Sequence, residues 1–572
     1  MKHLGYIYYS LITLCVITFL TILLIDSDSS FAFTHADGSV SDSYYIASFA
    51  KNIATGNGWR TWDGSSWLPL DLHISTGPIV FLPLAAFLLL GVSPETSIPY
   101  AALAINGALL LLLLRQWAKL IPIDRLLPIV VLALLFFLCF QRQQWYLCLG
   151  ETACVLLLLI SISYLAIDAY SLKSLALAGV AAGAAMSAKL LGIFAVITVP
   201  VYLMFSSTWK EQSWIKKTAL TTSWISGALC IPLFTVLMLL YFHPIDTLWE
   251  KITDYLDLYF TKHGNIPYNP EKWLNRSVYE LPYWNFLNLK SAFSATISGI
   301  SLFLLSTLPV AIASKPTDRQ SKIECLIGLI SFMAIIYIVW FYFLGLHQQA
   351  RYFYIGGSLS FIALAMTISR IKKQWPHKIG MLALVAITAS LGSPWAWTDK
   401  GNTYVSDMKN MARTINQQEN LKEIVWIPQG NHPWPFLSYY LKSSVRWLHL
   451  SRVLAEYSTF DQSQYLLQLN ETERNTLKAS QMSTEHFFFT NLGNHDKTGH
   501  FNWKSKDRVF ALLAKTNEKN TNKPQINCSH HIAENNSFIL AKCSPKEIEA
   551  AILKLIGSHK IIINEYPSNA PH

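Results

Sequence analysis

A succession of uninterrupted apolar runs, each about as long as a hydrocarbon core is thick, leaves this chain few ways to fold. A helix crossing a bilayer needs roughly 20 apolar residues, with some tolerance for shorter runs. Such runs lie near residues 4–25, 97–114, 126–140, 152–167, 174–188, 190–206, 218–241, 291–313, 323–343, 354–369 and 379–398, which predicts eleven spans. The run 77–91 is also apolar, but Pro78 and Pro83 interrupt it and no basic loop follows. It is expected to be a half-buried surface helix, with a twelfth span as the competing reading. Composition agrees: 52% of the 572 residues are hydrophobic and only 14% charged, against about 25% in ordinary soluble domains. The 19 Trp and 26 Tyr suit the two membrane–water interfaces. The fold class is therefore a polytopic α-helical membrane protein. The net charge of +10 is explained by topology, and no nucleic-acid partner is expected.

Lys and Arg collect on the cytoplasmic side of membrane proteins. With eleven spans and the N-terminus inside, fifteen Lys and Arg from Lys2 to Lys378 fall in cytoplasmic stretches. Only Arg142, Lys189 and Arg351 fall in the short loops opposite. The first apolar run continues into "LLIDSDSSFAF" without a small-residue cleavage site, so it is expected to be a retained span. Loops of about 26–96 and 242–290 then face outward, as does the tail 399–572. The expected domains are 1–398, carrying the spans, and 399–572, large enough for its own core.

The tail reads as α/β. "EIVWI" (Glu423 to Ile427), "RWLHL" (Arg446 to Leu450) and "HFFFT" (His486 to Thr490) are β-rich runs between helical or polar segments. In "CSHHIAENNSFILAKC", a two-residue turn on Asn535-Asn536 would set Cys528 opposite Cys543, ready for a disulfide in an oxidising compartment. The other six cysteines lie in or beside spans and are expected to be packing residues. His495, Asp496 and His500 in "NHDKTGH" fit a polar loop better than a metal site.

The outward stretch "SDSYYIASFAKNIATGNGW" (Ser41 to Trp59) reads as a helix capped by Ser41 or Asp42 and ended at Gly56 or Gly58. Ile46, Phe49, Ala50 and Ile53 form one apolar face, suited to lying on the membrane surface. Asp42 is thus either a helix cap or a functional carboxylate. Three charged residues at the outward ends of other spans bear on that choice: Glu151 in "LGET", Lys189 in "AAGAAMSAKLLGIF" and Arg351 in "ARYFYIGG". Taken singly, each is explained by capping or by snorkelling. Together on one membrane face, cations and carboxylates are the parts needed to hold a phosphate-bearing lipid and move a proton.

The same stretches resemble the GT-C glycosyltransferases, a superfamily that includes the bacterial lipid A aminoarabinose transferases and the protein O-mannosyltransferases. The resemblance rests on the Asp-x-Tyr-Tyr helix of the first loop with its Gly-x-Gly end, "STGPIVFLPLAAFLLLG", "LGET", "AAGAAMSAKLLGIF" and "ARYFYIGG", and covers about residues 1–400. The acidic pair common in relatives is Ser41-Asp42 here, leaving Asp42 as the sole carboxylate at that position, with Asp37 a weaker candidate. The resemblance implies a GT-C fold. It implies an enzyme that moves a sugar from a polyprenyl-phosphate carrier to a glycan, lipid or protein acceptor at the outer face, with inversion. Asp42 would accept the acceptor's proton, and Glu151 would assist, orient the acceptor or hold a cation. Lys189 and Arg351 would bind the donor phosphate. Tyr45, His73, His347 and Tyr352 are further candidate substrate contacts. No metal ligand set and no certain cofactor is expected, a divalent cation being the one candidate. The expected setting is a bacterial inner membrane, among its lipids, with the N-terminus cytoplasmic and the tail periplasmic. An O-antigen polymerase or ligase and, further off, a lipid-carrier transporter are the alternatives. The polymerase or ligase is not expected to place an Asp-x-Tyr-Tyr helix in its first outer loop, and a transporter would set its polar groups at the midplane of repeated halves.

Overall fold

The computed structural model describes residues 2–30, 39–62, 67–69, 76–140, 142–168, 170–196, 199–200, 211–242, 244–246, 249, 319–343, 350–371, 374–390 and 404–418, and shorter pieces of the tail within 421–547. The chain divides into two units. One comprises Met1–Ser30, Phe49–Arg60 and Pro69–Thr398; the other comprises Phe31–Ser48, Thr61–Leu68 and Asp399–His572.

Helix α1 spans Lys2–Ser30 and α2 spans Ser39–Ala54. Strands β1 (Arg60–Trp62) and β2 (Trp67–Pro69) pair with each other. The first unit continues with α3 (Pro78–Leu89), α4 (Pro94–Leu120), α5 (Ile123–Cys139), α6 (Glu151–Asp168) and α7 (Leu172–Ala188). Then come α8 (Trp214–Phe242), α9 (Arg319–Phe343), α10 (Ala350–Ser369) and α11 (Gln374–Ser390). These helices cover most of the expected spans. The run 291–313 and residues 197–198 and 201–206 of the run 190–206 lie outside the described residues. Among the described residues, five helices are long and apolar enough to cross a membrane: Tyr6–Ser27, Thr96–Leu120, Glu151–Asp168, Trp214–Tyr241 and Gln320–Trp340.

Helix α6 is the hub of this unit. Its middle, Ala153 to Ile160, is wholly apolar, and it is buried on every face from Glu151 to Ser163, as a helix hydrophobic all round should be. It packs against α4, α7, α9 and α10. Helix α8 is its opposite. Leu229, Leu233 and Leu237 are about half exposed, and its firm contact is a seam with α7 built from small residues. A Cβ at Gly183 would meet the Ala228 carbonyl oxygen at 2.2 Å, and one at Gly227 the Ala176 carbonyl oxygen at 2.4 Å. Small residues let helix backbones approach this closely in a membrane. Helix α3 forms across Pro83, with Pro78 in its first turn, and buries Val80, Phe81, Leu84 and Ala85. Its 12 residues rise only about 18 Å, against a hydrocarbon core about 30 Å thick.

Two expectations for α2 need correction. It begins at Ser39, upstream of both Ser41 and Asp42, so neither is its N-cap. Nor does it present one apolar stripe, because every residue from Ser43 to Ala50 is buried. The polar positions there are small (Ser43, Ser48) or aromatic (Tyr44, Tyr45), and they pack as readily as the aliphatic ones. The helix does end where the glycines predict, with Gly56 and Gly58 at φ +78° and +82°.

The second unit contains α12 (Tyr404–Gln417) and the strands β3 (Glu423–Ile427), β4 (Arg446–Leu448), β5 (Ser458–Phe460) and β6 (Phe501–Trp503). Strands β7 (Val509–Ala514), β8 (His530–Glu534) and β9 (Phe538–Cys543) complete it. Five strands form one sheet in the order β4-β3-β7-β9-β8, in which β3 is parallel to both β4 and β7 and the β7-β9 and β9-β8 pairs are antiparallel. Strands β5 and β6 form a separate antiparallel ladder. The α/β character and the runs at Glu423 and Arg446 are as expected; "HFFFT" lies outside the described residues. Cys528 and Cys543 form the expected disulfide, with Cα atoms 5.0 Å apart. The register that brings them together differs from the expected one. Asn535, not Glu534, closes the hairpin, its N–H donating to Phe538 O at 3.0 Å. A bulge between His531 and Ala533 then slips the pairing back by one.

Candidate functional site

The start of α6 is built against the end of α7. Gly150 has φ +89°, and a Cβ there would lie 2.1 Å from the carbonyl oxygen of Ala188. Only glycine allows both the left-handed backbone and the approach. That contact places Glu151 beside Lys189, the residue after Ala188. Lys189 leaves the helix in an extended conformation, its N–H still bonded to Ala185 O at 2.9 Å. Its ammonium lies 2.9 Å from Glu151 Oε1. It also donates to Leu149 O at 3.2 Å and to Thr76 Oγ1 at 3.4 Å. The Thr76 hydroxyl in turn donates to Leu149 O at 2.7 Å. Thr76 is held by its neighbour Gly77, where a Cβ would meet the Ser187 carbonyl oxygen at 2.3 Å. The glycines of "STGP" and "LGET" therefore make room for the "SAKL" corner, and the charged pair is the product of all three stretches.

The pair is deeply buried: the side chains of Lys189 and Glu151 are 7% and 1% exposed. Removing two charges from water is costly, and the cost is recovered only when they are paired and further hydrogen-bonded. Lys189 meets that condition with three oxygen partners. As a unit the pair is electrically neutral.

More polar side chains gather beside it. The Thr152 hydroxyl donates to Gln144 O at 2.8 Å and lies 3.1 Å from the hydroxyl of Tyr354 on α10. Tyr337 of α9 donates to Leu191 O at 2.6 Å. A second ion pair joins the end of α1 to the 3-10 turn Arg142–Trp145, with Arg142 Nε 2.8 Å from Asp26 Oδ2 and Tyr146 donating to the same oxygen at 3.0 Å. Asn106 of α4 holds this turn by donating to Trp145 O at 2.9 Å. The ends of α1, α5, α7 and α9 and the starts of α6 and α10 thus carry one polar cluster at one end of an apolar helix bundle.

Of the residues predicted from sequence, the structure brings Glu151 and Lys189 together. Arg351 and Tyr352 lie in the first turn of α10, one turn before Tyr354, and Asp42 lies in α2; the side chains of these three are outside the described residues. Tyr45 is buried in α2, and His73 and His347 are outside the described residues. Asp26, Arg142, Tyr146, Thr76, Tyr337 and Tyr354 were not singled out as site residues by sequence. Asp26 and Arg142 carry the signal that exposed Glu151, a charge at the outward end of an apolar run. No group of three or more His, Cys, Asp or Glu among the described residues is placed to hold a metal ion.

No protein-family model and no curated protein matches the chain. Solved structures do. The chain is similar to ArnT from Cupriavidus metallidurans bound to undecaprenyl phosphate, with TM-score 0.53 and 11% identity over 94% of this chain and 98% of that one. The same protein in the apo state aligns at TM-score 0.42, 11% identity and 96% and 99% coverage. The Archaeoglobus fulgidus oligosaccharyltransferase in the apo form aligns at 0.44, 10%, 77% and 64%. The latter two scores are too low to carry an argument. The first shows the fold: a helical membrane architecture shared with ArnT, the GT-C fold that the loop motifs implied. With its apolar helices, the chain is an integral membrane protein.

Proposed function

We propose that the protein is a membrane glycosyltransferase that moves a sugar from a polyprenyl-phosphate carrier to an acceptor on the extracytoplasmic face, with inversion. The observation that carries the reading is the polar cluster around Glu151 and Lys189, set at one end of a bundle whose fold is that of a protein solved with undecaprenyl phosphate. A lipid tail would lie among the apolar helices and its phosphate at the level of the cluster.

Asp42 is the general base in this reading. It takes the proton of the acceptor hydroxyl as that oxygen bonds to the anomeric carbon and the carbon–oxygen bond to the carrier phosphate breaks. The polyprenyl phosphate leaves with the bonding pair, and a single displacement inverts the centre. Arg351 is the primary phosphate contact. It sits in the first turn of α10, and a helix N-terminus favours an anion. Its charge offsets that developing on the leaving phosphate. Lys189 shares the phosphate's neighbourhood, but its charge is already balanced by Glu151, so it shapes the site more than it neutralises the donor. Glu151 holds Lys189 in place. The orientation this requires has the N-terminus and the basic loops in the cytoplasm and the tail outside, in an inner membrane.

Asp42→Asn tests the reading. Asn keeps the size of the residue and one acceptor oxygen but not the basicity. Transfer from polyprenyl-phosphate-linked sugars extracted from the producing cells, read by mass spectrometry of the released polyprenyl phosphate, should fall by about 10²-fold or more. An unchanged rate in correctly inserted protein would remove Asp42 from catalysis.

A further inference from the structure

The tail contains a connection to the helix of Asp42. Two residues after Asp42, Tyr44 is buried at 1% exposure. Its hydroxyl lies 2.8 Å from that of Tyr440, and its ring centre is 5.5 Å from both Tyr439 and Tyr440. Those two rings stack edge to face on each other at 5.2 Å, and Tyr439 is also buried. All belong to the second unit.

The tyrosine pair is itself anchored. Asn416 near the end of α12 donates to Tyr440 O at 2.8 Å and accepts from the Lys442 N–H at 3.0 Å. Lys442 Nζ returns a bond to Asn416 O at 3.0 Å. At the other end of α12, Asp407 O accepts from Asn535 Nδ2 at 2.7 Å. Asn535 closes the β8–β9 hairpin, whose far end carries the Cys528–Cys543 disulfide. An unbroken series of bonds therefore runs from the stapled hairpin through α12 to Tyr44.

We propose that Tyr44, Tyr439 and Tyr440 are positioning residues for Asp42, and that aiming this residue is a task of the tail. This rests on Asp42 being the base. Positions 42 and 44 differ by about 200° of helical rotation, so whatever fixes the side chain of Tyr44 fixes the azimuth of position 42. A general base must reach the reacting proton within hydrogen-bond range, so a loosened helix lowers turnover without weakening donor binding.

The test uses full-length protein in phosphatidylethanolamine–phosphatidylglycerol vesicles, with polyprenyl-phosphate-linked sugars extracted from the producing cells. Four forms are compared: wild type, Tyr440→Phe, Asp42→Asn and the double variant. Tyr440→Phe keeps the ring and removes the hydroxyl contact. Tyr440→Phe should lower kcat roughly fivefold, leave KM for the lipid donor unchanged and speed hydrogen exchange of the amides of residues 43–50. In the Asp42→Asn background it should cause no further loss of rate. A fivefold loss that persists in that background would overturn the proposal while leaving the base in place, because the tyrosine would then act apart from Asp42. An unchanged kcat in Tyr440→Phe overturns it too, whatever the exchange shows. Full activity in Asp42→Asn overturns the catalytic reading and the positioning role with it.

Discussion

For two opposite charges as deeply buried as Glu151 and Lys189, removing one partner does more than delete an attraction; it strands the other charge in a medium that cannot solvate it. Glu151→Gln should therefore cost about 3–5 kcal/mol, read as a fall in the thermal unfolding temperature of the purified protein. The pair replaced as Glu151→Gln with Lys189→Met should recover most of that loss, because no charge is left stranded. If the double variant proved as unstable as the single, the charges would not be coupled. Lys51 lies in α2. Burial pulls its pKa down to about 8 from the ordinary 10.5. The unfolded chain therefore binds the proton more tightly, so this lysine destabilises the fold fully below pH 8, and the penalty vanishes as pH rises through 10.5. Lys51→Met should raise stability at pH 7, with the gain shrinking to nothing by about pH 10.5 in unfolding measured across that range. Glu151 and Lys189 were legible in the sequence because charge is scarce in apolar runs. That they are partners was not: they are 38 positions apart (189 − 151), and their contact depends on Gly150 meeting the Ala188 carbonyl. Asp26 was hidden in a stretch that reads as the polar end of a span, and its bond to Arg142 has no local signature.

Among the elements, the β8–β9 hairpin shows how far local pattern reaches. The alternation and the two cysteines predicted a stapled hairpin, and the structure has one. The register was out of reach, since the later closing pair shifts it and the bulge at His531 and Ala533 shifts it only partly back, and neither leaves a mark in composition. Closing a loop of this length stabilises a domain by about 3 kcal/mol. Cys543→Ser should lower the unfolding free energy of the tail by that amount, read from its denaturant midpoint and slope, and thiol labelling of the oxidised, denatured wild type should leave both cysteines unmodified. Labelling of both would exclude the bridge. The parallel pairing of β3 with β4 and β7 joins segments far apart in the chain, which periodicity within a segment cannot report. Helix α2 failed as a surface helix for a related reason: its serines and tyrosines count as polar in a pattern, yet they pack as core.

For the whole molecule, the helical membrane class followed from run length alone, because a bilayer leaves the backbone few alternatives to helices of this size. The sidedness rests on the distribution of Lys and Arg. A reporter fused after residue 399 should read outside and one fused near residue 217 inside; an inside signal at 399 would require an even number of spans and reassign the loop of Asp42. The Glu151–Lys189 pair also bears on how the chain enters the membrane during synthesis. Helix α6 begins with one charge and α7 ends beside the other, and a lone charge drawn into hydrocarbon is opposed by several kcal/mol. The connection between the two helices is short, only residues 169–171. The two segments are thus best delivered to the lipid as a preformed, charge-balanced hairpin, so that the most enclosed of the described spans enters already accompanied by its neighbour.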